Sequence, residues 1–207
     1  MSNEFLDKFF KENTVDTEVP TAPALVHLSI AMEMHPESNL NVEETLIEAV
    51  FKYRPGRKRE SSPERGEIES ATTCEQILRL TRRYVDPVNL HILVNRAMEF
   101  EKEIVPEIVR MLKTSLNNNF IEIAVRILAK SEINVAEELT GYYDDVRNPY
   151  AQSMILLLLG FKVDESFIPW FIEKNNELKK NYPNESYCEG AYYALIEIEK
   201  RFYPEEK

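Results

Sequence analysis

Glycine is scarce in this chain, with 5 among 207 residues. A β-sandwich or a doubly wound α/β fold draws on more, for tight turns and phosphate-binding loops. Cysteine is scarcer still. Cys74 and Cys188 stand far apart, in no CxxC and no zinc-ligand spacing, so both are expected as free thiols. Three histidines, His27, His35 and His91, make no HExxH and no i,i+4 ligand pair. No metal and no cofactor is therefore expected. Long apolar runs are missing too: Met154–Leu159 is far too short to cross a bilayer. The opening MSNEFLDKFFKEN is acidic and mixed, unlike a secretory leader. These absences together lead to an expected cytoplasmic location.

Positive charge is also in deficit. Lys and Arg number 25 against 36 Asp and Glu, a net charge of -11. Such a surface disfavours nucleic acid and anionic membranes and attracts basic partners. It also simply keeps a protein in solution. What the chain does have is 43% hydrophobic residues, and its Leu, Ile, Glu and Lys content favours helices.

Residues 2–12 read as a short amphipathic helix with Phe5, Leu6, Phe9 and Phe10 on one side. Thr21 and Pro23 mark the start of a second helix, a capping hydroxyl followed by proline in the first turn. His35-Pro36 ends it near Met34. Asn41 and Glu44 form a capping-box pattern for a helix over 42–53 with Leu46, Ile47, Val50 and Phe51 as its stripe. Then RPGRKRESSPERG, 54–66, breaks the pattern with two prolines, two glycines and four arginines. Helix resumes over 69–84, with Ile77, Leu78 and Leu80 facing inward.

From there the chain repeats. Asp86-Pro87, Asn118-Asn119, Asn148-Pro149 and Asn184-Glu185 each read as a helix cap before an apolar run. Second helices start between them at Ile104-Val105-Pro106, Asn134-Val135-Ala136 and Ile168-Pro169. A helix pair cannot bury both apolar faces alone, and stacking such pairs builds one continuous core.

The stretch NPYAQSMILLLLGF resembles the first helix of a HEAT repeat. It has the Asn148-Pro149 turn, the small Ala151, the Met154–Leu159 run and a Leu159-Gly160 end. DESFIPWFIEK resembles the second helix, opening on Ile168-Pro169-Trp170. Ala151-Gln152 replaces the Val-Arg of the pattern, although Val125-Arg126 stands slightly displaced one repeat earlier. The resemblance spans 86–203 and is strongest over 148–173. It implies an all-α fold, a right-handed α-α superhelix of stacked antiparallel pairs with the second helices lining a concave face. The organisation expected is one helical domain over 1–207. It comprises N-terminal helices or a cap over 1–53, a flexible basic loop over 54–68 and HEAT-like repeats over 69–207. Residues 1–84 do not fall into the repeat register.

Tyr142, Tyr143, Asp144 and Asp145 close a second helix and precede Arg147. Such a cluster grips a basic partner segment, or it packs between repeats with Asp144 or Asp145 paired to Arg147. Trp170, the lone tryptophan, suits an interface hot spot or a core anchor with its N–H at the edge. Residues 52–83 hold nine basic side chains against five glutamates, a local +4. Within them Arg54, Arg57, Lys58 and Arg59 suit contact with an anion or an acidic peptide, or form a solvated loop.

The resemblance implies adaptors and scaffolds, so the leading expectation is a protein-interaction module, an adaptor or inhibitor, with an acidic concave face for a basic protein partner. The alternative is an enzyme of HEAT-like build such as an alkylpurine DNA glycosylase. That needs a basic groove to meet phosphates, which the net charge opposes. No catalytic residue is assigned.

Overall fold

A computed structural model describes residues 3–15, 21–34 and 63–204. The described residues are all-α, without a strand, and contain eleven α-helices. These are α1 (Glu4–Glu12), α2 (Ala22–Met34), α3 (Pro63–Ser70), α4 (Cys74–Leu80), α5 (Pro87–Met98) and α6 (Glu101–Leu112). They continue with α7 (Asn118–Lys130), α8 (Ala136–Tyr142), α9 (Pro149–Gly160), α10 (Ile168–Asn181) and α11 (Glu189–Phe202). The helix expected over 42–53, and Arg54, Arg57, Lys58 and Arg59, lie outside the described residues. None of the helices is long and apolar enough to cross a membrane.

The chain groups into two compact units. One is contiguous, Ser29–Ile133; the other is split, Met1–Leu28 with Asn134–Lys207. The division falls inside α2.

In the contiguous unit α5 packs on α7, α6 packs against both, and α3 lies on α5. The core is a stripe from each helix: Leu93, Ile104, Ile108, Leu112, Phe120, Ile121 and Ile127 are all fully buried. Where one helix was expected over 69–84, two stand. Thr73 ends the first possibility of continuity by capping α4: its hydroxyl accepts from Gln76 N at 3.3 Å, and Gln76 Oε1 accepts from Thr73 N at 3.1 Å. This is a complete capping box. Helix α3 also begins earlier than the loop expected through 68, because Pro63 occupies its first position, where its fixed φ suits helix and its missing N–H costs nothing.

Pro106 corrects a second expectation. It lies inside α6, which starts at Glu101. Acidic Glu101 and Glu103 in the first turn favour the earlier start. The proline is exposed, as is Lys102, whose carbonyl it cannot serve.

A closed polar ring joins the end of α2 to α5 and α7 in this unit. His91 Nδ1 lies 3.1 Å from Glu33 Oε1, and His91 Nε2 lies 2.9 Å from Asn95 Nδ2. Lys130 Nζ donates to Asn95 Oδ1 and, at 3.4 Å, to Glu33 Oε2. Burial draws the Glu33 carboxyl upward, but the His91 hydrogen bond and the charges of Lys130 and His91 outweigh it and hold it below its usual 4.5.

In the split unit α9 is buried all round, from Ala151 through Ser153–Gly160 save Gln152, as a helix apolar on every side must be. It packs most extensively on α11; α10 also packs on α11, and α1 on α10. Two glycines set the α9–α11 spacing. A Cβ on Gly190 would stand 1.9 Å from Ser153 O, and one on Gly160 would stand 2.4 Å from Ala194 Cα. His27 is tied to α11: its Nε2 lies 2.6 Å from Glu197 Oε1, and its ring stacks on Tyr193 at 4.9 Å. Glu197 is wholly buried and also accepts from Lys200 Nζ at 3.0 Å. The fourth cap, expected at Asn184-Glu185, is replaced by a 3₁₀ turn, Ser186–Cys188, that leads into α11.

Candidate protein-binding face

The five residues singled out in the sequence all fall in the split unit, on α8, α10 and the turn after α8. Helix α8 tightens into a 3₁₀ turn, Tyr143–Asp145. Another, Glu165–Phe167, leads into α10, where Pro169 sits in the first turn. Asp164 caps that entry, its Oδ1 accepting from Ser166 N at 2.9 Å.

These turns bring Tyr143, Asp144 and Trp170 together. Tyr143 is buried, with its ring centroid 5.2 Å from Trp170 in an edge-to-face pair. Trp170 is half-buried and also meets Phe167 at 6.0 Å and Phe171 at 5.3 Å. Tyr142 is half-buried. Burial raises its phenol well above the usual range, and the nearby Glu138 charge adds to the rise. Tyr143 is raised likewise, by burial first and then by Asp144 and Glu177.

Sequence reasoning missed the residue that organises the cluster. Lys174 is buried, with Nζ 3.0 Å from Asp144 Oδ1, 2.9 Å from Glu177 Oε2 and 5.7 Å from the Tyr143 ring centroid. Burial pulls its ammonium down, yet the hydrogen bonds and charges of Glu177 and Asp144 outweigh that and leave it raised. Asp144 thus pairs with Lys174 rather than with Arg147. The i,i+3 spacing to Glu177 was visible in the sequence; the approach of Asp144 from another helix was not.

The exposed charges here are mostly carboxylates. Over 137–147 and 173–177 the exposed acidic side chains are Glu137, Glu138, Asp144, Asp145, Glu173 and Glu177. Arg147 is the one exposed base in those stretches. The face therefore offers negative charge beside two half-buried aromatic rings.

An open cavity of about 490 Å³ lies beside α8, bounded by Glu137, Thr140, Lys162, Asp164, Phe167 and Arg201. Arg201 is engaged there: its Nη2 donates to Gly160 O at 2.7 Å and Val163 O at 2.5 Å, capping the end of α9. Among the described residues no group of three or more His, Cys, Asp or Glu is placed to hold a metal. Both thiols are pushed up, Cys74 by burial and by Glu103 and Glu107, Cys188 by burial and Glu189. That is the reverse of an activated nucleophile. No family model, no curated protein and no solved structure matches the chain.

Proposed function

We propose that this protein is a HEAT-like helical-repeat interaction module that binds a basic protein segment through the α8–α10 face. The observation that carries the reading is the placement of Asp144, whose side chain is 81% exposed, beside the half-buried Trp170 and Tyr142. Exposed acids flank these rings, and the Tyr143 ring that Trp170 meets already sits by the Lys174 ammonium at 5.7 Å, which suits a lysine- or arginine-rich segment laid across the face.

The repeat reading draws support from the caps. Asp86, Asn117 and Asn148 cap α5, α7 and α9, so the interval is 31 residues each time. The expected cap at Asn118 moves by one residue and the period becomes regular. Stacking of first helices on one another, α5 on α7 and α9 on α11, is the packing such a repeat produces. The glycosylase alternative gains nothing from the surroundings of Trp170, where carboxylates stand in place of phosphate-binding Lys and Arg.

The test is fluorescence anisotropy of a labelled oligo-arginine peptide with the full chain, at low and at raised salt. Binding is expected that weakens with salt and falls at least fivefold in the Glu138→Gln, Asp144→Asn, Asp145→Asn triple variant. A labelled duplex DNA serves as the second arm. Equal peptide affinity for the triple variant, or preference for DNA, overturns the proposal.

A further inference from the structure

The contiguous unit carries a cleft of opposite character. It lies where α6 ends and α7 begins, a cavity of about 350 Å³ lined by Arg82, Arg110, Thr114, Ser115 and Asn117 over the buried ring of Phe120. Among the described residues no carboxylate lines it. Acids outnumber bases 36 to 25 in the chain, whereas two guanidinium groups and no described acid line this concave site.

The two arginines are held differently. Arg110 pairs with Glu107 at 2.5 Å, and both side chains are well exposed. A rim pair of that kind contributes little and exchanges readily. Arg82 has no carboxylate partner among the described residues. Its Nη2 lies 4.0 Å from Met111 Sδ. By contrast Arg65, Arg83 and Arg96 of the same unit each pair with a glutamate. The backbone of Arg82 is nonetheless fixed, because Asn117 Nδ2 donates to its carbonyl at 2.7 Å. Arg82 is thus anchored at the main chain, and no described carboxylate pairs with its charge.

We propose that this cleft binds a phosphate group, free or as a monoester. Two guanidinium forks match the charge of a phosphate dianion and its oxygens pairwise. The hydroxyls of Thr114 and Ser115 supply further donors at the same cavity. A single planar carboxylate is satisfied by one guanidinium, whereas a tetrahedral oxyanion uses donors arriving from several directions. Met111 and Phe120 make an apolar floor, which lowers the local dielectric and strengthens the charge contact.

The test is an amide NMR titration of the full chain with sodium phosphate at ionic strength held constant with chloride. Saturable shifts are expected at Thr114, Ser115, Asn117 and Phe120. The apparent affinity falls at least tenfold in Arg82→Gln and severalfold in Arg110→Gln, while Arg82→Lys falls between wild type and Arg82→Gln. Phosphoserine forms a parallel arm: tighter binding than inorganic phosphate assigns the site to an ester, equal binding to the free ion. Both arginines are exposed, so circular dichroism of the variants is expected to match wild type. Shifts reproduced by chloride alone, or unchanged in Arg82→Gln and Arg110→Gln, overturn the assignment.

Discussion

Lys174 Nζ lies 3.0 Å from Asp144 Oδ1, so a buried ammonium on α10 holds the turn that ends α8. The base is inside and its acids are outside: Lys174 is 9% exposed at the side chain, against 81% for Asp144 and 49% for Glu177. Lys174→Ala removes the hydrogen bonds and the stem packing together. It is expected to cost about 2 kcal/mol, a charged hydrogen-bond value reduced because both acids are solvated. Lys174→Met keeps the packing and is expected to cost roughly half as much. Urea unfolding followed by circular dichroism measures both; equal stability of Lys174→Ala and wild type would show that the pair holds nothing.

The close approach of α9 and α11 gives a contrast between glycines. Gly190→Ala drives a methyl into the Ser153 carbonyl, and Gly160→Ala drives one into Ala194. Each is expected to destabilise by about 3 kcal/mol, the upper part of the range for overpacking, because backbone rather than a flexible side chain must move. Gly66→Ala and Gly141→Ala meet nothing within 4 Å and lie in helices α3 and α8. Those two are expected to stabilise by about 0.5 kcal/mol through helix propensity. Thermal melts of the four single variants decide it.

Buried charge explains a third expectation. His27→Ala leaves Glu197 fully buried with Lys200 as a solvent-side partner. Removing one member of such a pair is expected to cost about 3 kcal/mol. Replacing Glu197 with Gln in the same chain takes away the buried carboxylate charge and should recover part of that loss. A double-mutant cycle reads the coupling; additive losses would mean that the two side chains do not act together.

Acid should loosen the contiguous unit through Glu33. A carboxyl held below its usual value adds stability that is present above about pH 4.5 and is lost as pH falls through the lower folded value. Wild type is therefore expected to lose more stability than Glu33→Gln between pH 5 and the acid limit of about pH 3. Hydrogen exchange at α5 and α7 amides across that window provides the measurement. Parallel curves for the two proteins would remove Glu33 from the account.

Much of the helical layout was legible because it rests on local chemistry. Asp86, Asn148 and Thr21 cap the helices they were expected to open. The break at Thr73 was written in the same code, in Thr73 and Gln76, yet the apolar run on both sides hid it. Pro106 misled because proline usually marks a first turn, and here an exposed position tolerates it inside the helix. The candidate face was half legible: Tyr143, Asp144 and Trp170 do come together. Lys174, the Glu33–His91 contact and the His27–Glu197 pair were not visible, since 30, 58 and 170 residues of chain separate the partners. Only the packing of helices brings them within reach.

The division of the chain has a temporal side. The contiguous unit is complete once residue 133 exists, whereas the split unit needs both its early and its late segments, as the Asn3 Nδ2 to Tyr203 hydroxyl bond at 3.0 Å shows directly. During synthesis α1 and the first half of α2 must wait, apolar surface uncovered, until α10 and α11 emerge. Leu6 and Phe9, buried in the finished fold, are among the residues a nascent chain then leaves open. Apolar surface left uncovered in an incomplete fold is what makes such a species prone to aggregate.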